Sequence, residues 1–197
     1  MLPVGTESGE VDMKVLMADY SGSFDRNFSH GKLAQETLAN LMKATAEYMR
    51  RIDGHWYLSV MEKWGNDEAL DCDIKVWERL VTYEMKMLSS LLNIHGDNVV
   101  TVMKALQASP WALTYACDID VTNDNYAIVT YRNCPTLLAL EREGQGREGL
   151  ICQELEPKMM NIIAHYFNPN IEVTALQLPP REGNSDICCQ WEFKLDR

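Results

Sequence analysis

At Ser109-Pro110 the hydrophobic period of this chain changes, and that change limits the folds open to it. Before the step, apolar residues recur at threes and fours, the spacing of helices with one buried face. Leu38, Leu41, Met42, Thr45, Tyr48, Met49 and Ile52 predict an amphipathic helix over about residues 31–52, stopped by the turn pair Asp53-Gly54. Trp56, Val60, Met61 and Trp64 predict a short second helix closed by Gly65. Leu70, Ile74, Trp77, Val81, Met85, Leu88 and Leu92 mark a long third helix capped at Asn66 or Asp67. A fourth, capped by Asp97, turns Val99, Val102, Met103 and Leu106 inward. It ends at Ser109-Pro110, because the residue before a proline is pushed out of the helical conformation.

After the step the period is two. Tyr115, Cys117, Ile119 and Val121 alternate with Ala116, Asp118, Asp120 and Thr122, Asn123-Asp124-Asn125 supplies a turn, and residues 126–132 run back as a second strand. Cys134-Pro135 opens a short helix over residues 136–143, and the run G-Q-G-R-E-G breaks it. Leu155, Met159, Ile162, Ile163 and Tyr166 lie on a further helix with Pro157 in its first turn. Residues 171–178 form a strand ended by Pro179-Pro180. The last strand places Ile187, Cys189, Trp191, Phe193 and Leu195 on one face and Cys188, Gln190 and Glu192 on the other. Cys189 is thus expected to face the core and Cys188 to face away from it. The order predicts an α+β fold: an N-terminal helical bundle packed on a ββααββ unit with a four-stranded antiparallel sheet. Residues 1–30 are expected as an N-terminal extension, 31–108 as the helical part and 109–197 as an α+β ligand-binding part, the last two in one compact domain.

Charge excludes several partners. A formal net charge of -11, with no basic run beyond Arg50-Arg51, argues against nucleic acid, whose phosphates need a basic face. It argues equally against an anionic membrane surface. No stretch approaches the roughly 18 apolar residues of a spanning helix, and the N-terminus lacks the pattern of a secretion signal. The expected location is cytoplasmic, with the six cysteines as thiols or metal ligands. There is no P-loop, dinucleotide glycine fingerprint or H-E-x-x-H. Gly144, Gly146 and Gly149 imitate a phosphate loop, but Glu141, Glu143 and Glu148 beside them would repel an anion.

Two groups of residues are able to carry chemistry. Cys134, Cys152 and Cys189 each fall at a strand end, a helix entrance or an inward strand position. Three readings stand open for them: small soft core residues, ligands of a metal such as zinc, or, for Cys152 beside a helix N-terminus, a nucleophile. The second group starts from D-G-H-W-Y, where Asp53, His55 and Trp56 combine aromatic surface with polar anchors, and Asp73 and Trp77 on the third helix add a further wall. Such residues line an apolar pocket with a few polar groups, or merely end a helix and fill the core. His30 and His95 sit at predicted helix junctions, and His165 lies in the last turn of its helix, where a favourable dipole contact is a sufficient explanation.

The stretches D-G-H-W with Glu62, D-I-K-V-W at 73–77, K-A-L-Q-x-x-P-W at 104–111, Y-R-N-C-P-T at 131–136 and C-x-W-x-F at 189–193 carry a resemblance. The chain resembles an uncharacterised prokaryotic family of cytosolic proteins. That family is similar to the amino-thiazoline-carboxylate hydrolases and, more distantly, to four-vinyl-reductase-type sensor domains. The resemblance implies the ligand-binding fold of nitric-oxide signalling and Golgi transport, often a homodimer, with a pocket between helices and sheet. It also implies zinc held by cysteines near the pocket, at Cys152 and Cys189, although Leu178 stands where some relatives carry a further cysteine. The leading expectation is a cytosolic, sensor-like protein, a homodimer, binding a small apolar or aromatic molecule. Its pocket is expected between Trp56, Trp77, Tyr131 and Trp191, edged by Asp53, His55, Asp73 and the inward cysteines. The alternative is a hydrolase of a small cyclic amide or thiazoline, with Cys152 or Cys134 as nucleophile and Asp53 or Glu62 as proton carrier. A third is an interaction module without chemistry.

Overall fold

The computed structural model describes residues 16–181 and 186–196, so residues 1–15 of the expected extension lie outside the described residues. The chain divides into two compact units, Met1–Ala44 and Thr45–Arg197, and the division falls inside the first long helix. In the first unit Met17 bridges Leu33, Tyr20 stacks on Phe28 with ring centroids 4.7 Å apart, and Lys32 Nζ meets Asp25 at 2.6 Å. The second unit holds the remaining helices together with the sheet, so Ser109-Pro110 is no boundary between compact units.

The first helix is longer than the sequence predicts. It is α1, Gln35–Trp64, and it runs through Asp53-Gly54 without a turn. Glycine inside a helix costs about 1 kcal/mol against alanine, too little to stop a helix whose far end is packed. Tyr57, Val60 and Met61 are packed with Ala69 and Leu70 of the next helix, and Tyr57 donates its hydroxyl to Asn66 Oδ1 at 2.9 Å. The chain breaks at Gly65 instead, whose φ of 97° is a conformation side chains oppose. Helix α2, Asn66–Leu92, starts directly after it, and α3, Val99–Ala108, is capped by Asn98 rather than Asp97. Asn98 Oδ1 accepts the Thr101 N–H at 3.0 Å.

The fold is α+β. Strands β1 (Ala116–Asn123), β2 (Tyr126–Asn133), β3 (Glu172–Gln177) and β4 (Cys189–Lys194) pair antiparallel in the order β1-β2-β4-β3. Three helices, not two, join the hairpins: α4 (Pro135–Glu143), α5 (Arg147–Glu154) and α6 (Glu156–Phe167). The extra one, α5, grows out of the run expected as loop, because Gly144 and Gly146 at φ 69° and 72° reverse the chain at once and Arg147 begins a new helix. Val129, Trp191 and Phe193 of the sheet, Val102 of α3, Met85 of α2 and Ile163 of α6 share one core.

Cys188 corrects a second expectation. It precedes β4, its N–H bonds to the Tyr131 carbonyl at 2.7 Å, and it is 1 % exposed rather than turned to the outer face. Strand alternation does not reach a residue that enters the sheet through a bend. Among the described residues no helix is long and apolar enough to cross a membrane.

Candidate functional site: an aromatic cavity with unpaired carboxyl groups

A cavity of about 560 Å³ opens in the second unit, lined by the latter half of α1, by α2, by all three helices between the hairpins, and by β1, β2 and the start of β4. That size lies within the range of small-molecule sites. Helical spacing aims the side chains. Asp53 and Tyr57 stand four apart on α1, and Asp73, Trp77 and Glu84 share one face of α2. Cys152 and Glu156 stand four apart across the α5–α6 junction, where Leu155 keeps helical angles. Trp77 meets Trp111 with ring centroids 4.8 Å apart, and Tyr115 meets Tyr131 edge-on at 5.8 Å.

The electrostatics of this cavity set it apart. Burial pushes Asp53 up to about 6, offset in part by the indole of Trp77. Burial, followed by the charges of Asp53 and Glu156, pushes Asp73 up to about 7. Burial and then Asp53 lift Glu156 to about 7 as well. Each ionised carboxylate makes the next harder to ionise. Asp73 is 4 % exposed, and its Oδ1 has no hydrogen-bond partner among the described residues. Glu84, also buried, accepts the Ser109 hydroxyl at 2.6 Å. The basic residues of the wall are mostly engaged: Arg50 with Glu47 at 2.6 Å and Arg147 Nε with Glu143 at 2.8 Å, while Arg142 is exposed to solvent.

Of the residues expected at a site, Asp53, Asp73, Trp77, Tyr131, Cys134, Cys152 and Cys189 all line the cavity. His55 and Trp56 do not. Because α1 continues through Gly54 at roughly 100° per residue, they fall on its exposed side while Arg50, Asp53, Gly54 and Tyr57 face inward. Trp191, 1 % exposed, fills the core beside Val129 instead of forming a wall. Glu62 is exposed and outside the cavity.

The cysteines share the cavity without forming a metal site. Among the described residues no three His, Cys, Asp or Glu side chains are grouped to hold a metal ion, so Cys134, Cys152 and Cys189 do not fit zinc. Their spacing follows from separate structural duties. Cys134 Sγ accepts the Leu137 N–H at 3.4 Å as the cap of α4, and Trp191 Nε1 donates to Cys189 Sγ at 3.4 Å. Burial pushes the Cys134 thiol up to about 12 and those of Cys152 and Cys189 well above the usual thiol value. At neutral pH and without a bound metal all three are thiols, which attack carbon poorly.

Sequence reasoning missed Glu84, Trp111, Tyr115 and Glu156. The signal for Glu84 was present, since it shares the α2 face of Asp73 and Trp77. Glu156, beside Pro157 in a first helical turn, reads as an ordinary dipole partner, and only the tertiary packing buries it.

No curated protein and no solved structure matches the chain. A family model, however, matches residues 31–195, a span that contains every residue lining the cavity. On that match the chain belongs to a family of unknown function, DUF6125.

Proposed function

We propose that this protein binds a small molecule in the cavity between α1, α2, the connecting helices and the sheet. The observation that carries the reading is the cavity itself: about 560 Å³ of space lined by Trp77, Trp111, Tyr115 and Tyr131 beside a shared apolar core. Aromatic rings in the lining suit a flat or apolar ligand body. The test is a crystallographic fragment soak. Density for fragments between Trp77 and Tyr131 supports the reading, and fragments confined to the outer surface contradict it. A homodimer is part of the proposal, resting on the exposed Tyr48, Ile52 and Trp56 along one side of α1. Light scattering of the wild type against Ile52→Glu tests it, and a monomeric wild type removes it.

A second reading is a hydrolase of a small cyclic amide or thiazoline. What favours it is the set of carboxyl groups held near neutrality, since acid and base catalysts work best with pKa values close to the operating pH. One carboxylate would take a proton from an attacking water while a protonated neighbour gives one to the departing ring nitrogen. The raised thiols speak against Cys134 or Cys152 as nucleophile. Ring opening of cyclic amides that is lost in Glu156→Gln and kept in Cys152→Ser would select this reading.

A further inference from the structure

Accepting that the cavity is a ligand site, we propose that its ligand is a small organic cation, with the charged nitrogen at Asp73, in a cavity that Asp53 and Glu156 also line, and the apolar body against Trp77, Trp111 and Tyr131. Three observations meet here. Among the described residues none of the three carboxyl groups has an ion-pair partner, whereas Arg50 and Arg147 in the same wall each hold a glutamate. The cavity thus offers unspent negative charge and little unspent positive charge. Second, Asp73 Oδ1 is buried, faces the cavity and has no partner, a cost that a donor on the ligand would remove. Third, the aromatic faces around the acids attract cations, and do so more strongly when water is excluded.

The occupant is organic rather than a bare metal. A hard divalent ion needs six or more oxygen ligands closely arranged, and no grouping of that kind exists among the described residues. A protonated amine needs only one or two carboxylates, and its carbon skeleton uses the aromatic walls that a metal would leave idle. A carboxylate or phosphate ligand would instead add a fourth negative charge to a buried set that already resists ionisation.

The experiment is calorimetry at pH 8 with tryptamine and its neutral counterpart tryptophol, on wild type, Asp73→Asn and Glu156→Gln. Tryptamine should bind the wild type at least about tenfold more tightly than tryptophol, and Asp73→Asn should bring the two within about threefold. Equal binding of both compounds to the wild type overturns the cation inference and leaves the small-molecule reading standing. Binding of neither, with a fragment soak that also leaves the cavity empty, overturns both. The wild-type pair decides the matter even where a variant misfolds.

Discussion

Asp73 and Glu84 lie on the same face of the same helix and reach the same cavity, yet the fold treats them differently. Glu84 receives a hydroxyl from Ser109 at 2.6 Å, and that bond offsets part of the burial that raises its proton affinity. Asp73 has the charges of Asp53 and Glu156 for company, an indole donor in Trp77 that offsets them only in part, and an Oδ1 with no partner among the described residues. One acid ties α2 to the end of α3. The other is held where burial and neighbouring charge oppose its ionisation, and the proposed ligand would give that placement a use. Of the buried side-chain atoms without a partner among the described residues, Asp73 Oδ1 is the one whose residue lines the cavity.

The largest effect that sharpens this contrast concerns the thiols. Burial that lifts Cys134 to about 12 lowers its thiolate population about thousandfold against a free thiol. Iodoacetamide at pH 8 should therefore leave Cys134, Cys152 and Cys189 unlabelled in the native protein while urea exposes all six cysteines, as read by peptide mass spectrometry. Fast native labelling of Cys152 would restore the nucleophile.

Next comes Asp73 itself. Its folded pKa, about 7, lies above the unfolded value of 3.8. The folded state therefore holds its full share of stability below about pH 4 and loses it as pH rises through 7. Asp73→Asn should escape that loss, gaining on the order of a few kcal/mol over wild type at pH 8 and nothing at pH 4, in urea melts at both pH values. The opposite sign is expected of Ser109→Ala. Leaving Glu84 buried without its donor should cost about 1–3 kcal/mol at pH 7. If both substitutions destabilise alike, the distinction between the two acids collapses.

The smallest effect tests the continuity of α1, which turns Asp53 inward and His55 outward. Gly54→Ala, with open space where its Cβ would stand, should raise stability by up to about 1 kcal/mol. A loss would indicate a turn at Asp53-Gly54 and reinstate His55 and Trp56 as wall residues.

Much of the fold was legible because its signals are local. The switch of period at Ser109-Pro110 marks the hairpins, and Pro157 marks the first turn of α6, as found. Other features depend on packing that no short stretch records. Asp53-Gly54 has the composition of a helix stop, and tertiary contacts at Tyr57 and Met61 carry the helix past it. The run after Gly144 has the composition of a loop, yet Ile151 is buried against Tyr57, Leu70 and Leu140 and holds α5 in place. For the site, Asp53, Asp73, Trp77 and Tyr131 could be picked out as polar or aromatic residues on predicted inward faces. Trp191 has the same signature and fills the core, since alternation tells which face is inward but not how deep a side chain sits. Glu156 was hidden because burial of an acid is a property of the assembled walls.

The most direct test is the stability difference between wild type and Asp73→Asn at pH 8, measured by urea melts without and with saturating tryptamine. The account predicts a more stable variant in the free protein. It also predicts that tryptamine narrows or reverses the gap, because a ligand that binds the folded wild type preferentially stabilises it by mass action. A wild type that is the more stable without ligand, or a gap that tryptamine leaves unchanged, would contradict the claim that Asp73 is held in the cavity for a cationic ligand.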